Sequence, residues 1–220
     1  RLTYNPVLAV GAADFCIKSS TTGLAMARQD TTLNEFSILC RVLGSLFYRQ
    51  PDDALLAPLY ALIQQGKLQE SWPLEQSALL GRLQQASTES GAILADYQAL
   101  FVGDACRVSP LRSAWVEGST DADIRVFLSA RGMTLSEGPA DHFGTLLLAA
   151  SWLEDHAAED ETDALIQLFT DAILPWYETF LGKVEAHATS AFWRAMAPLA
   201  REAIEAMWDE LEEDEVEQPE

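Results

Sequence analysis

Apolar residues recur at three- and four-residue spacing along most of the chain, which is the pattern of helices that bury one face. The first such stripe consists of Phe36, Leu39, Leu43, Leu46 and Phe47. Stretches that alternate apolar and polar residues are nearly absent, as are the Asn-Gly and Asp-Gly pairs of hairpin turns. The pattern therefore predicts an all-α fold, a single-domain multi-helix bundle of about eight to ten helices.

Capping and turn residues indicate where these helices begin and end. The first helix is expected to start at a capping box formed by Thr32 and Glu35. Residues 104–118 lack helical periodicity and are expected to form one long loop. Pro139 is expected in the first turn of a later helix, and Pro198 is expected to kink or divide the last one.

The chain divides into three regions that differ in charge. Residues 1–32 carry three basic and two acidic side chains, a net charge of +1, whereas the whole chain carries −20. We interpret residues 1–32 as an atypical extension that is not native to the domain; an amphipathic arm that packs on the body is the alternative. Residues 33–211 are the predicted helical domain. Residues 212–220 are predicted to form an acidic disordered tail, because like charges repel one another.

The strongly acidic balance restricts the partners that we expect. A net charge of −20 repels phosphate backbones and anionic lipids, so neither nucleic-acid binding nor stable membrane association is expected. The same field attracts basic peptides, although high charge can also serve solubility alone. Cys16, Cys40 and Cys106 are too widely spaced for a disulfide framework, which fits a reducing compartment such as the cytoplasm.

Residues with catalytic or metal-binding chemistry are sparse. The sequence lacks the H-E-x-x-H, P-loop and G-x-S-x-G patterns. His142, His156 and the carboxylate-rich stretch 154–163 keep a metal-binding hydrolase as an alternative, but a solvated acidic loop explains that stretch without a metal. We therefore predict that the chain is not an enzyme and has no catalytic residues, no metal ligands and no cofactor.

Two ordered motifs stand out in the middle of the chain. The first is Tyr97-Gln98-Ala99-Leu100-Phe101-Val102-Gly103 followed by Ser109-Pro110-Leu111-Arg112-Ser113-Ala114-Trp115, and the second is Pro139-Ala140-Asp141-His142-Phe143-Gly144. This ordered pair resembles the signature of the TorD/DmsD/NarJ family of redox-enzyme maturation proteins. The resemblance extends over residues 33–211 and is strongest to the YcdY branch, through Asn34-Glu35-Phe36-Ser37 and Met207-Trp208-Asp209-Glu210-Leu211.

The resemblance implies an all-α, cytoplasmic, non-catalytic chaperone dedicated to the maturation of a metalloenzyme client. For the YcdY branch, the implied client is a zinc-dependent hydrolase of the PHP type, which the chaperone would assist in metal insertion. The alternative is that the chain binds the twin-arginine leader of a molybdoenzyme. A third interpretation is an acidic helical scaffold that oligomerises through its aromatic stripes. We expect a monomer, with a domain-swapped dimer as the alternative.

Carried over by position, the resemblance nominates client-binding residues in both motifs. They are Tyr97, Leu100, Phe101, Gly103, Pro110, Leu111, Ser113, Trp115, Asp141 and His142. Leader peptides join basic residues to an apolar core, so their receptor needs an apolar groove with an acidic rim. We expect Phe101, Leu111 and Trp115 to line that groove and Asp141 to pair with a leader arginine.

Structural interpretations compete with these roles. Phe101 and Trp115 are also explained as ordinary core residues, and Asp141 as a carboxylate that caps free amides at a helix start. His142 is also explained as a partly buried histidine bonded to a nearby loop. Leu111 stands where the family usually has an aromatic residue, so a stacking contact there is not expected.

Overall fold

The protein is represented by a computed structural model that describes the backbone of residues 31–156 and 161–217 and the side chains of residues 35–156 and 162–216. Within these ranges it contains ten α-helices and no strand. The helices are α1 Thr31–Tyr48, α2 Ala57–Gln64, α3 Lys67–Ser71, α4 Ser77–Ala86, α5 Ser90–Phe101, α6 Asp121–Ser129, α7 Phe143–Asp155, α8 Glu161–Leu168, α9 Tyr177–His187 and α10 Ala191–Glu217. The predicted all-α bundle is confirmed.

Helices α1 and α7 form the most extensively packed pair. They approach closely where Gly44 faces Gly144. A Cβ atom on Gly144 would lie 2.6 Å from the Tyr48 nitrogen and 2.7 Å from the Gly44 carbonyl oxygen. No side chain fits at that separation, so glycine at position 144 allows the two backbones to touch. This crossing places the end of α1 beside the start of α7.

The core is built around a cluster of aromatic side chains from five helices. The Phe47 ring of α1 lies 4.9 Å from that of Phe143 in α7, which in turn lies 4.7 Å from Phe180 in α9. Phe101 at the end of α5 lies 5.3 Å from Trp193 in α10. Each pair adds favourable edge or tilted packing to the burial of apolar area. The cluster lies directly beneath the two sequence motifs.

A buried carboxylate fixes the start of the last helix. Asp96 in α5 is 2% exposed and accepts hydrogen bonds from the backbone amides and hydroxyls of both Thr189 and Ser190. Those residues immediately precede α10, where backbone amides lack partners within the helix. Asp96 therefore satisfies the free donors and ties α10 to α5.

The last helix is longer and more continuous than the sequence predicted. Pro198 neither divides nor ends α10, which continues from Ala191 to Glu217 as one helix. Its neighbours on both sides, including Ala197 and Leu199, are buried, so tertiary packing outweighs the hydrogen bond that proline removes. The acidic residues 212–217, predicted to be disordered, continue the same helix, while 218–220 lie outside the described residues.

Three other predictions need correction or remain outside the described part of the chain. Pro139 precedes α7 by several residues instead of lying in its first turn. The stretch 154–163 is not one acidic loop, because Glu154 and Asp155 end α7 and Asp163 belongs to α8, with 157–160 outside the described residues. The predicted capping box depends on the Thr32 side chain, which lies outside the described side chains. Residues 1–30 of the predicted extension lie outside the described residues, because the described range begins with α1 at Thr31. Within that range, no helix has the length and apolar character needed to cross a bilayer.

Candidate functional site

The two motif segments lie side by side, although about thirty residues of chain separate them. Leu111 and His142 form an isolated antiparallel bridge. The Phe143 amide donates to the Pro110 carbonyl at 2.8 Å, and the Arg112 amide donates to the Asp141 carbonyl at 3.0 Å. Backbone hydrogen bonds therefore join the loop after α5 to the start of α7.

The Asp141 side chain reinforces this junction. Its Oδ2 atom accepts a hydrogen bond from the Ser113 amide at 2.9 Å, and the residue is 2% exposed. A buried carboxylate must be hydrogen-bonded to offset its lost hydration, and Asp141 meets this requirement inside the protein. The expected pairing of Asp141 with a leader arginine therefore has no support in this geometry. Asp141 instead holds the segment around Ser113 in place.

His142 is the N-cap residue of α7. Its Nδ1 atom accepts a hydrogen bond from the Gly144 amide at 3.0 Å, so the ring is neutral with its proton on Nε2. Burial lowers the pKa of His142 to about 4, against the opposing charge of Asp141. The ring packs edge-on against Tyr48, with centroids 5.6 Å apart. Among the described residues Nε2 has no partner, so the neutral ring has a spare donor.

Trp115 and its neighbours carry the motifs to the surface. The Trp115 Nε1 atom donates to the Ser109 carbonyl at 2.8 Å, and its ring contacts Phe180 edge-on at 6.2 Å. Trp115, Leu111 and His142 are half-buried, and Ser113 is exposed. We call Leu111, Ser113, Trp115 and His142 the motif surface. Its side chains are held by the fold on one side and open to solvent on the other.

The remaining nominated residues support this surface from behind. Tyr97, Leu100, Phe101 and Pro110 are all buried, and the Tyr97 hydroxyl donates to the Phe47 carbonyl at 2.8 Å. Burial raises the pKa of Tyr97, so its phenol stays protonated and keeps this bond. For Phe101 the competing interpretation as a core residue is the one that the packing favours. In this structure these four side chains pack inside the protein, and their predicted contact with a client stays a prediction.

Gly103 ends the first motif with a backbone turn. Its φ of 82° lies in the left-handed region that favours glycine, and it directly follows the C-cap of α5. The chain then folds back, with the Val108 amide donating to the Leu100 carbonyl at 2.9 Å. Gly103 is exposed, and its role visible here is to turn the loop toward α7.

Comparison with known proteins identifies the family. The family model described as nitrate reductase delta subunit matches residues 65–182, more than half of the chain. The chain belongs to this family. It is 66% identical over 182 residues to the chaperone protein YcdY of Escherichia coli (strain K12), which covers 83% of this chain and 98% of that protein. It is 32% identical over 186 residues to the Tat proofreading chaperone DmsD of Salmonella paratyphi A, covering 80% and 89%.

The match confirms the resemblance to redox-enzyme maturation chaperones and to their YcdY branch. An uncharacterized protein of Haemophilus influenzae is 36% identical over 185 residues, covering 83% of this chain and 97% of that protein. The relatives YcdY and DmsD carry the names of chaperones, in agreement with the prediction that this family member is not an enzyme.

The metal-site alternative does not fit the geometry of this family member. His142 caps the start of α7 and His156 caps its end, so the helix separates them by about 20 Å. A metal ion binds its ligands at about 2 Å, which excludes a site shared by these two rings. Across the described ranges no group of three or more potential ligands is close enough to hold a metal ion.

Sequence reasoning missed the residues that fix the loop before His142. The Asp121 carboxylate accepts a hydrogen bond from the Ala140 amide and pairs with Arg125 at 2.7 Å. Arg125 also donates to the Ser136 carbonyl at 3.1 Å. The spacing of Asp121 and Arg125 by four residues on α6 was a usable signal for the ion pair. That spacing did not indicate that Asp121 also binds the loop before α7, where Ala140 lies nineteen residues further along the chain.

Proposed function

We propose that this protein is a cytoplasmic chaperone that binds the twin-arginine leader of a redox enzyme and so assists the maturation of that enzyme. The observation that carries the proposal is the motif surface: two segments far apart in sequence are bonded together and present Leu111, Trp115 and His142 half-buried at one place. Relatives named as a chaperone and as a Tat proofreading chaperone support the same role.

The chemistry of a leader matches this surface. Leaders combine positively charged residues with an apolar stretch of roughly 7–15 residues. The −20 net charge of the chain attracts the basic part, while Leu111 and Trp115 supply apolar area for the rest. The spare donor of neutral His142 suits a backbone carbonyl of the bound peptide. Attraction of this kind weakens as salt is added.

The zinc-hydrolase client, which the sequence analysis preferred, has less support than leader binding. The names of the relatives include a Tat proofreading chaperone and no hydrolase partner. In the described residues, nothing about the motif surface favours the delivery of a metal. We therefore propose leader binding, which the sequence offered as the alternative to a zinc-hydrolase client.

Peptide binding tests the proposal. The full chain is titrated with fluorescent synthetic leaders of about 25 residues that carry paired arginines before an apolar stretch, and with versions in which both arginines are alanine. We expect Leu111→Ser and His142→Asn each to weaken binding about tenfold, because each removes a contact at the motif surface. Val126→Ser is the matched control, since Val126 is 71% exposed on α6 and outside that surface.

Two results would contradict the proposal. One is the absence of binding to any arginine-containing leader by the wild-type chain. The other is equal affinity for the arginine and alanine peptides, because an acidic receptor must distinguish them.

A further inference from the structure

A cavity of about 330 Å³ lies between α2, the start of α5 and the loop that joins α1 to α2. Its lining includes Asp52, Ala54, Ala57, Tyr60, Ile93 and Leu94. We call it the Tyr60 cavity. Its volume falls within the range of about 300–1,000 Å³ that is typical of ligand sites. None of the ten nominated residues lines it.

The Tyr60 cavity is connected to the motif surface through Tyr48. The Tyr48 ring contacts His142, and Tyr48 also lines an open depression together with Asp52 and Asp53. Asp52 and Asp53 line the Tyr60 cavity as well. Tyr48 therefore lies between His142 of the motif surface and the two aspartates beside the cavity.

The charged residues beside Tyr48 and the cavity are Arg49, Asp52 and Asp53. Among the described residues, two charged side chains line the Tyr60 cavity, and both are aspartates. Asp53 is occupied, because its carboxylate pairs with Arg49 at 3.0 Å and accepts from the Leu55 amide at 2.9 Å. Asp52 is exposed and has no hydrogen bond or ion pair within the described part of the chain. It is a free carboxylate at the entrance to an apolar space.

Tyr60 has an unmet polar group beside the same space. Its ring packs on Phe192 with centroids 5.6 Å apart, while its hydroxyl is buried without a hydrogen-bond partner among the described residues. An unsatisfied buried hydroxyl costs free energy, but the protein encloses this oxygen, so Tyr60 meets the cavity through the rest of its side chain. Largely apolar walls with a carboxylate at the entrance suit a peptide that carries basic residues better than a small anion.

We propose that the Tyr60 cavity receives apolar side chains of the bound leader, whose basic residues then lie against Asp52. This inference rests on the proposed function and specifies where the peptide runs beyond the motif surface. An extended peptide that occupies both ends buries more apolar area than the motif surface alone offers.

Gly91 allows a side chain to be added at the cavity without disturbing the fold, and Gly81 provides a control outside it. Gly91 of α5 lines the Tyr60 cavity, and a Cβ atom there meets nothing within 4 Å. Gly91→Leu therefore places an apolar side chain in the space that the leader would use. Gly81 of α4 is also helical with nothing within 4 Å of an added Cβ, and it lies outside the cavity lining. Gly81→Leu is the matched control, since it adds the same side chain to a helix outside the cavity.

The full-length chain is titrated with the fluorescent leader described above and with a second leader whose apolar stretch is replaced by serine and glycine. We expect Gly91→Leu to weaken binding of the apolar leader about tenfold or more and to leave the polar leader unaffected, because only the former uses the cavity. Asp52→Asn is expected to weaken both about two- to fivefold at low salt, with Asp171→Asn, an exposed aspartate on the far segment after α8, as its control.

The outcomes separate this inference from the proposed function. If Gly91→Leu binds the apolar leader as tightly as the wild type while Leu111→Ser binds it more weakly, the proposed role of the cavity is wrong. The proposed role of the motif surface would then remain supported. Loss of binding in Gly91→Leu and Gly81→Leu alike would also overturn the role of the cavity, because the effect would not depend on the cavity. A wild-type chain that binds neither leader would overturn both proposals.

Discussion

The Asp141 carboxylate accepts a hydrogen bond from the Ser113 amide at 2.9 Å, and this contact joins the two sequence motifs through a buried side chain. The structure thereby gives Asp141 a positioning role, since the motif surface exists only while the two segments stay together. Substitution of Asp141 tests whether the carboxylate also contacts a client.

Replacement of Asp141 separates positioning from direct contact. Asp141→Ala leaves the Ser113 amide without its acceptor and is expected to lower the free energy of unfolding by about 1–3 kcal/mol, measured by urea denaturation. Asp141→Asn keeps an acceptor oxygen in the same place, so it should lose less stability and bind leader almost as well as the wild type. If Asp141 paired directly with a leader arginine, asparagine would weaken binding about as much as alanine does.

Acid should weaken the fold through His142. Folding lowers the pKa of this histidine from 6.5 to about 4, so the unfolded chain binds the proton more tightly. The corresponding stability is present above about pH 6.5 and is lost as the pH falls toward 4, up to about 3 kcal/mol. His142→Asn retains a good N-cap residue that does not titrate.

The measurement is the free energy of unfolding between pH 7 and pH 4.5 for the wild type, His142→Asn and a control, His187→Asn, which changes an exposed residue at the end of α9. The wild type and the control should lose stability in parallel, and His142→Asn should lose less. Identical slopes for all three would show that His142 carries no such penalty.

The contact between α1 and α7 should tolerate no side chain at position 144. Gly144→Ala forces a Cβ atom to within 2.7 Å of backbone atoms on α1, and we expect a loss of about 2–3 kcal/mol or more. Gly182→Ala in α9 meets nothing within 4 Å and should stabilise the chain by up to about 1 kcal/mol. Thermal unfolding by circular dichroism compares the two. Equal changes would mean that the helices do not approach as closely as described.

The link between α5 and α10 should depend on one carboxylate. Asp96→Ala removes the acceptor for two amides and two hydroxyls of Thr189 and Ser190, and we expect it to destabilise the chain by about 3 kcal/mol or more. Asp171→Ala, at an exposed position, should change stability by less than about 0.5 kcal/mol. A small loss for Asp96→Ala in urea denaturation would contradict the assigned role.

The helices could be predicted from sequence because their apolar stripes determine both their type and their buried face. Phe36, Leu39, Leu43, Leu46 and Phe47, the first stripe named, are all buried on α1. Local signals failed where tertiary packing prevailed. Pro198 lies inside a continuous α10 because the buried residues around it hold the helix together. The acidic end of α10 remains helical to Glu217, although repulsion between its like charges predicted disorder there.

The candidate site was predictable in its segments but not in its geometry. Motif order indicated that the residues near 110 and 142 belong together, and the structure bonds them through Leu111 and His142. Sequence alone could not tell which side of each segment faces the core, because loops have no periodicity. Hence Asp141 was expected to pair with a leader arginine and instead accepts a hydrogen bond from the Ser113 amide inside the protein. The contribution of Tyr48, at the end of α1, carried no local signal.

The most direct test of the account is amide hydrogen exchange of the full-length chain with and without a saturating arginine-containing leader, read by mass spectrometry. Leader binding at the motif surface should slow exchange in residues 109–116 and 141–146, while α4 keeps its exchange rate. Slower exchange confined to other segments, with these two unchanged, would contradict the assignment of the motif surface as the place where the leader binds.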